Sequence, residues 1–394
     1  MTAYLSEWLE LLLRWFHVVA GIAWIGESFY FVMQDRSLKP PHDPRAIAAG
    51  VAGELWSVHG GGFYHAQKYA VAPGALPEDL HWSKWKSYAT WLSGLLLFLV
   101  LYLAQPGVYL IDPSVAQLTP MEADGAAIGC LIAGWLIYDR LCRALDCHEA
   151  LLATAMLAYI AGFAFIATHV FSGRAAFLIT GAMLATIMSA NVFFVIIPGQ
   201  RRMVHNMTAG TPPDPQDGLR GKQRSTHNTY FTLPVVFAMI SNHYAMTYST
   251  AQSWAVLTLI MAAGALTRQF FVLWHGGTRA WALPLTGAAL VAAVMTWLAP
   301  PASIATAGSA IVRVADIQPI IAARCAPCHA THPKLMASAP AGLVLETPHD
   351  IIANGARIET QAVQLKAMPL GNLTHITAEE RGKIGAWFAG GMKE

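Results

Sequence analysis

The sequence predicts an all-α protein in two parts: a polytopic membrane helix bundle of about eight spans over residues 1–300 and, beyond a linker at 301–310, a small domain at 311–394. Three observations carry this. The 394-residue chain is 55% hydrophobic and only 12% charged, the balance of a membrane protein. Its apolar runs recur at lengths that cross a bilayer core of about 30 Å. Near its C-terminus stands Cys325-Ala-Pro-Cys328-His329, outside any such run.

The first run, Trp8 to Met33, is too long for a cleavable leader and lacks a small-residue cleavage site, so it reads as a signal anchor. The others lie near 88–104, 124–141, 151–170, 176–198, 230–248, 254–274 and 281–299. Lys and Arg set the orientation. The first connection carries Arg36, Lys39, Arg45, Lys68, Lys84 and Lys86, and the fifth carries Arg201, Arg202, Arg220, Lys222 and Arg224, whereas the second and sixth carry none. Odd connections are therefore expected in the cytoplasm, with both termini outside it. A net charge of +2 without a dense basic patch gives no reason to expect a nucleic-acid partner.

The C-x-x-C-H box reads as covalent attachment of one haem c, with Cys325 and Cys328 capturing the porphyrin and His329 approaching the iron. Met368, in the irregular Lys366-Ala-Met368-Pro369-Leu-Gly371-Asn372 loop, supplies the thioether on the other face. Little regular pattern lies between box and loop. Thr377-Ala-Glu-Glu380 then caps a closing helix that runs to Phe388, completing a class I-like cytochrome c domain. A bacterial haem c is attached outside the cytoplasm, in agreement with the charge pattern. Cys130, Cys142 and Cys147 read as buried thiols.

Within the first span, Arg14, His17, Gly21, Trp24 and Ser28 share one helical stripe. Ionisable groups at membrane depth are functional candidates because burying them is costly. His17 is read as a ligand of an intramembrane haem b, with His243 as its partner, His169 as the alternative and Arg14 near a propionate; interhelical hydrogen bonding is the plainer role. On the inner side, His59-Gly60-Gly61-Gly62-Phe63-Tyr64-His65 reads as a loop or re-entrant turn followed by a helical turn. Ser225 to Thr229 reads as a capped helix start that would attract anions, or as an ordinary positive-inside loop. Arg268-Gln269 suits a planar substrate rich in carbonyl and N–H groups, unless Arg268 snorkels to the headgroups.

Several of these segments are shared with a known family. Gly21-Ile-Ala-Trp24-Ile-Gly26-Glu-Ser28-Phe29-Tyr30, the His59 to Tyr69 segment, His81-Trp82-Ser-Lys84-Trp85, Trp91-Leu-Ser-Gly94 and Ser241-Asn242-His243-Tyr244 together resemble the bacterial membrane-bound urate oxidase (urate hydroxylase) family, in which a membrane domain precedes a C-terminal cytochrome c. The resemblance implies oxidation of urate to 5-hydroxyisourate, with electrons passed to the cytochrome and on to a downstream soluble cytochrome or terminal oxidase, without hydrogen peroxide. A shorter similarity links the first span to the membrane protoporphyrinogen oxidase type, whose first-helix histidine binds haem b. For urate chemistry the candidate bases are Glu27, His65 and His227, and the candidate substrate contacts are Arg268, Gln269, Asn228 and His59. A non-catalytic membrane cytochrome fed by quinol or a partner dehydrogenase is the competing expectation. Either places the chain in a bacterial inner membrane.

Overall fold

In the computed structural model, residues 2–146, 148–299, 312–336 and 338–394 are described. The expected linker at 301–310 and Cys147 lie outside them.

Eight long helical segments form the first part: α1 (Thr2–Ser37), α2 (Trp85–Leu97), α3 (Pro120–Ala144), α4 (Glu149–Val170), α5 (Gly173–Ala190), α6 (Pro215–Ile240), α7 (Ser253–His275) and α8 (Ala282–Trp297). A π-helical turn extends α2 through Phe98–Leu103, and another, Asn191–Ile196, joins α5 to a further helical stretch ending at Thr208. Among the described residues six helices are long and apolar enough to cross a membrane: Trp8–Ser37, Trp85–Leu103, Pro120–Ala144, Glu149–Val170, Gly173–Thr208 and Ser253–His275. The two other expected spans differ for physical reasons. At 16 residues α8 is roughly 24 Å long, short of the bilayer core. In α6 the first half is polar, because the helix begins at Pro215, with the Asp214 side chain accepting a hydrogen bond from the Gln216 N–H. Ser225 to Thr229 is consequently mid-helix, and the expected helix start there is overturned.

The expectation of purely helical structure fails at one place. Residues around His59 form an antiparallel hairpin, β1 (Val51–His59) and β2 (Gly62–Tyr69), with His59 opposite Gly62. Gly60 and Gly61 take φ values of +57° and +80°, which permit the two-residue turn. Lys39 and Glu54 exchange backbone hydrogen bonds of 2.9 and 2.8 Å, and Lys68 pairs with Asp35 of α1, so the hairpin is tied to the end of the first helix.

The core centres on α5. Its Phe177 and Leu184 pack with Tyr138, Met156, Phe231 and Leu257 from α3, α4, α6 and α7. A second cluster joins Phe98, Tyr102, Leu110, Ala123, Phe171 and Ile179. By contrast, α1 offers Trp15 and Ile22 outward, each 67% exposed, and turns its small and polar stripe inward. The connections around 110–115, 171–174 and 248–253 line one cavity with the C-terminal domain, so the even-numbered connections and that domain share one end of the bundle.

The C-terminal domain holds its own core of Val314, Ile317, Ile321, Leu345, Ile351, Ile358, Ile384 and Trp387. Helices α9 (Val314–Arg324), α10 (Pro348–Ala353) and α11 (Ala378–Ala389) enclose it. The region between box and loop is more regular than its sequence suggests: α10 is followed by helical turns at Gly355–Ile358 and Glu359–Gln364. At α11 the expected capping box is present between Thr377 and Glu380.

Close helix packing makes a sharp prediction at Gly181. A Cβ there would come within 2.6 Å of the Ala238 Cβ on α6. Gly181→Val is expected to destabilise the detergent-solubilised protein by about 1–3 kcal/mol through overpacking. Gly26→Ala, with nothing within 4 Å of the new carbon, is expected to leave the melting temperature unchanged or slightly raised. Thermal unfolding of the two variants checks the contrast.

Candidate functional site

The inner ends of α1, α6 and α7 meet around one buried cation. Arg268 is 3% exposed, and its guanidinium carbon lies 4.0 Å from the centroid of the Phe29 ring on α1. Among the described residues its Nε and one terminal nitrogen have no hydrogen-bond partner. Those two nitrogens form one edge of the guanidinium, the edge that grips a planar acceptor with two parallel bonds. Next to it in the chain, Gln269 accepts a hydrogen bond from the Tyr230 hydroxyl of α6, and Ser28 of α1 meets Thr229 across 3.3 Å. Arg268 is therefore enclosed between helices; it does not snorkel.

A second polar group is buried between α3, α5 and α6. Arg224 donates to Asp139 at 2.8 Å, and Asp139 also forms an ion pair with Arg143 at 2.7 Å. The Tyr138 hydroxyl lies 2.8 Å from Nδ1 of His227 and accepts from the Asn191 amide at 3.0 Å. Asn191 also donates to Asn228 at 2.8 Å, and Asn228 donates to the Met188 carbonyl at 3.0 Å. Asn191 opens the π-helical turn after α5, a distortion that re-aims side chains at functional places. One terminal nitrogen of Arg224 and the Asn191 carbonyl oxygen remain unpartnered among the described residues.

The sequence-derived candidates are divided among these places. Arg268 and Gln269 stand together, whereas Asn228 and His227 belong to the second network. Glu27 directly precedes Ser28 and Phe29 and faces α2, where it accepts from Ser83 and pairs with Lys86 at 2.8 Å. His59 is exposed at the hairpin turn. His65 is on β2, bonded to Glu54 at 2.9 Å and stacked on Trp56 at 4.1 Å. Sequence reasoning missed Phe29, Tyr230, Tyr138, Asn191 and Asp139. Each matters through contact across helices, which no periodicity within one helix displays.

His17 sits against α2. Its Nδ1 lies 3.0 Å from both the Thr90 carbonyl and the Ser93 hydroxyl, and a Cβ on Gly94 would meet its ring at 2.9 Å. The expected partners are elsewhere. His243 is exposed in the short turn Ser241–His243 beyond α6, because that helix ends at Ile240. His169 is exposed at the end of α4, with Nδ1 2.7 Å from the Phe165 carbonyl. Arg14 is exposed and pairs with Glu10 at 3.7 Å.

In the C-terminal domain the residue set suits a covalent haem. Cys325 and Cys328 are free thiols. Nδ1 of His329 lies 3.0 Å from the Leu343 carbonyl, an arrangement that fixes the ring and reserves Nε2 for a metal. Among the described residues no group of three or more His, Cys, Asp or Glu gathers to hold a metal. The segments that carry the C-x-x-C-H box and Met368 are both anchored by arginines. Arg324, one residue before Cys325, donates to Glu380 at 3.0 Å and to the Thr374 carbonyl at 2.6 Å, while Arg381 donates to the Met368 carbonyl at 2.8 Å. Burial opposes the charged form of Glu380, but the Thr377 backbone N–H and the Arg324 guanidinium more than offset it and hold the carboxyl below the usual range. Its contribution is thus complete above the unfolded pKa of about 4.3 and is lost as pH falls through the lower folded value. Arg324→Ala is expected to lower the stability of this domain by about 2 kcal/mol at neutral pH. The difference from wild type should shrink in acid, as read by denaturant unfolding across the pH range.

Comparison with known proteins bears on the membrane part. Neither a curated protein nor a solved structure matches the chain. A family model described as urate oxidase N-terminal matches residues 3–299, which includes all eight helices of the bundle, the hairpin and Arg268. The chain belongs to the urate oxidase N-terminal family.

Proposed function

We propose that the protein oxidises urate to 5-hydroxyisourate within its membrane domain and delivers the electrons to a haem c on its C-terminal domain. The observation that carries this reading is the unpaired edge of buried Arg268 inside the region matched by the family. Urate is a planar monoanion at neutral pH, with carbonyl oxygens and ring nitrogens along its edges. Arg268 offers it charge and two parallel donors where water competes weakly, and Phe29 holds the guanidinium plane. Tyr230 fixes the neighbouring Gln269 amide for further contacts.

The chemistry balances as urate plus water giving 5-hydroxyisourate, two protons and two electrons. Glu27 is our choice for the first proton acceptor, since it lies on the same helical turn as Phe29 and Lys86 keeps a positive charge beside it. His65 is engaged on the hairpin, and His227 belongs to the Tyr138 network. Haem c, held by Cys325, Cys328, His329 and Met368, supplies a one-electron acceptor. The electrons continue to a downstream soluble cytochrome or terminal oxidase, so hydrogen peroxide is not a product. This sidedness fits a bacterial inner membrane with both termini in the periplasm. An intramembrane haem b on His17 would shorten the electron path, with His243 or His169 approaching it from the outer end.

Anaerobic mixing of the purified protein with urate, followed at the c-type absorbance band, tests the proposal. Urate should reduce the haem in wild type. Arg268→Ala should raise the urate concentration needed for half-maximal reduction by about 10–100-fold, the worth of a charged hydrogen-bonded contact. Arg268→Lys should recover little of it, because a lysine cannot grip with two parallel donors. Absence of reduction by urate in the wild-type protein would remove the urate reading.

A further inference from the structure

We infer that the loop carrying Met368 is a docking element that seats the C-terminal domain on the outer end of the bundle, making the domain a fixed electron acceptor with its methionine side toward the membrane domain. The significance for electron entry rests on the haem reading above; the seating itself does not.

The closest approach is at Gly371. Its φ is +55°, a conformation that side-chain-bearing residues rarely adopt, and a Cβ there would lie 3.1 Å from the Val108 carbonyl oxygen and 3.6 Å from that of Ile111. Glycine is therefore required both by the backbone conformation and by the space available. The receiving segment is rigid. The backbone N–H of Ser172 donates to the Leu110 carbonyl and its hydroxyl to the Tyr109 carbonyl, each at 2.8 Å, and Leu110 is fully buried.

Around this contact lies a cavity of about 500 Å³ whose walls come from both domains. Lys366 and Arg381 face it from the C-terminal domain, Asp112 and Arg174 from the bundle. Asp112 is held in a tight turn, accepting from the Ser114 N–H at 2.9 Å and its hydroxyl at 2.6 Å. It is the acidic group among those four, so it offsets the repulsion between Arg174 and the two cations opposite. Arg381 carries the arrangement to the ligand loop through its bond to the Met368 carbonyl. Asp112 and Gly371 are thus positioning residues. They would set the separation between the bundle and a haem held by Cys325, Cys328, His329 and Met368, which would accept the electrons drawn from urate one at a time.

The test uses the full-length protein with haem attached. Asp112→Lys adds a fourth cation to the rim without touching the methionine loop, and Gly371→Val strikes the contact itself. Hydrogen exchange should rise severalfold in both 106–111 and 366–373 in each variant. Reduction by urate should slow severalfold, while ascorbate still reduces the haem fully and, for Asp112→Lys, the methionine-ligated spectrum is unchanged. If Gly371→Val disturbs that spectrum, Asp112→Lys decides alone. Unchanged exchange in Asp112→Lys would overturn the docking, and raised exchange with undiminished reduction by urate would overturn its role in electron entry. Coupled protection of the two segments in a wild-type protein that urate fails to reduce would defeat the urate reading while leaving the docking intact.

Discussion

A charge taken out of water among apolar helices must find a partner, and this bundle meets that constraint in two ways. Arg224 is answered by Asp139 and by the faces of Trp135 and Tyr138, at 6.0 and 5.0 Å from its guanidinium carbon. Among the described residues Arg268 has an aromatic face but no anion, and two of its nitrogens stay unpaired. A cation left this way costs stability, and the cost is recovered when an anion enters. That asymmetry sets the paired Arg224 apart from Arg268 where composition and depth are the same. The groups around Arg268, Phe29 and Ser28 of α1 with Thr229 and Tyr230 of α6, meet where the Ser28–Phe29 end of α1 reaches α6 and α7.

Much of the fold was legible. Hydropathy located the six helices long and apolar enough to cross a membrane, and the capping pattern located α11. What escaped reading had identifiable causes. The His59 to His65 stretch pairs as a hairpin because Gly60 and Gly61 accept positive φ, and the same glycines had looked like a re-entrant loop. The start of α6 was misplaced because Ser225 to Thr229 are good capping residues, while Asp214 with Pro215 is the cap in use. For the site, Arg268 and Gln269 could be read as polar residues at membrane depth. Phe29, Tyr138 and Asn191 could not, since an aromatic or an amide in an apolar helix is ordinary until the opposing helix is known.

The C-terminal domain shows the opposite balance. Its C-x-x-C-H box and downstream methionine stand out in the sequence, but its placement does not. Arg324 and Arg381 look like surface charges in the sequence; in the structure they brace the segments on either side of the ligand set, one through Glu380 and Thr374, the other through the Met368 carbonyl. Gly371 reads as a loop-former and proves to be where two domains touch.

These placements bear on how an electron could travel. Arg268 lies fifteen positions along α7 from its start at Ser253, and Ser253 lines the inter-domain cavity, so the two sites are roughly 22 Å apart along the helix axis. His17 lies eleven positions outward from Ser28 on α1, roughly 16 Å above the level of Arg268. Its Nδ1 is committed to α2, which leaves Nε2 available and the ring held by Thr90, Ser93 and the absent side chain of Gly94. A carrier at that height would divide the path into two shorter steps. His169 and His243 lie at the outer ends of their helices, and His169 lines the cavity beneath the methionine loop.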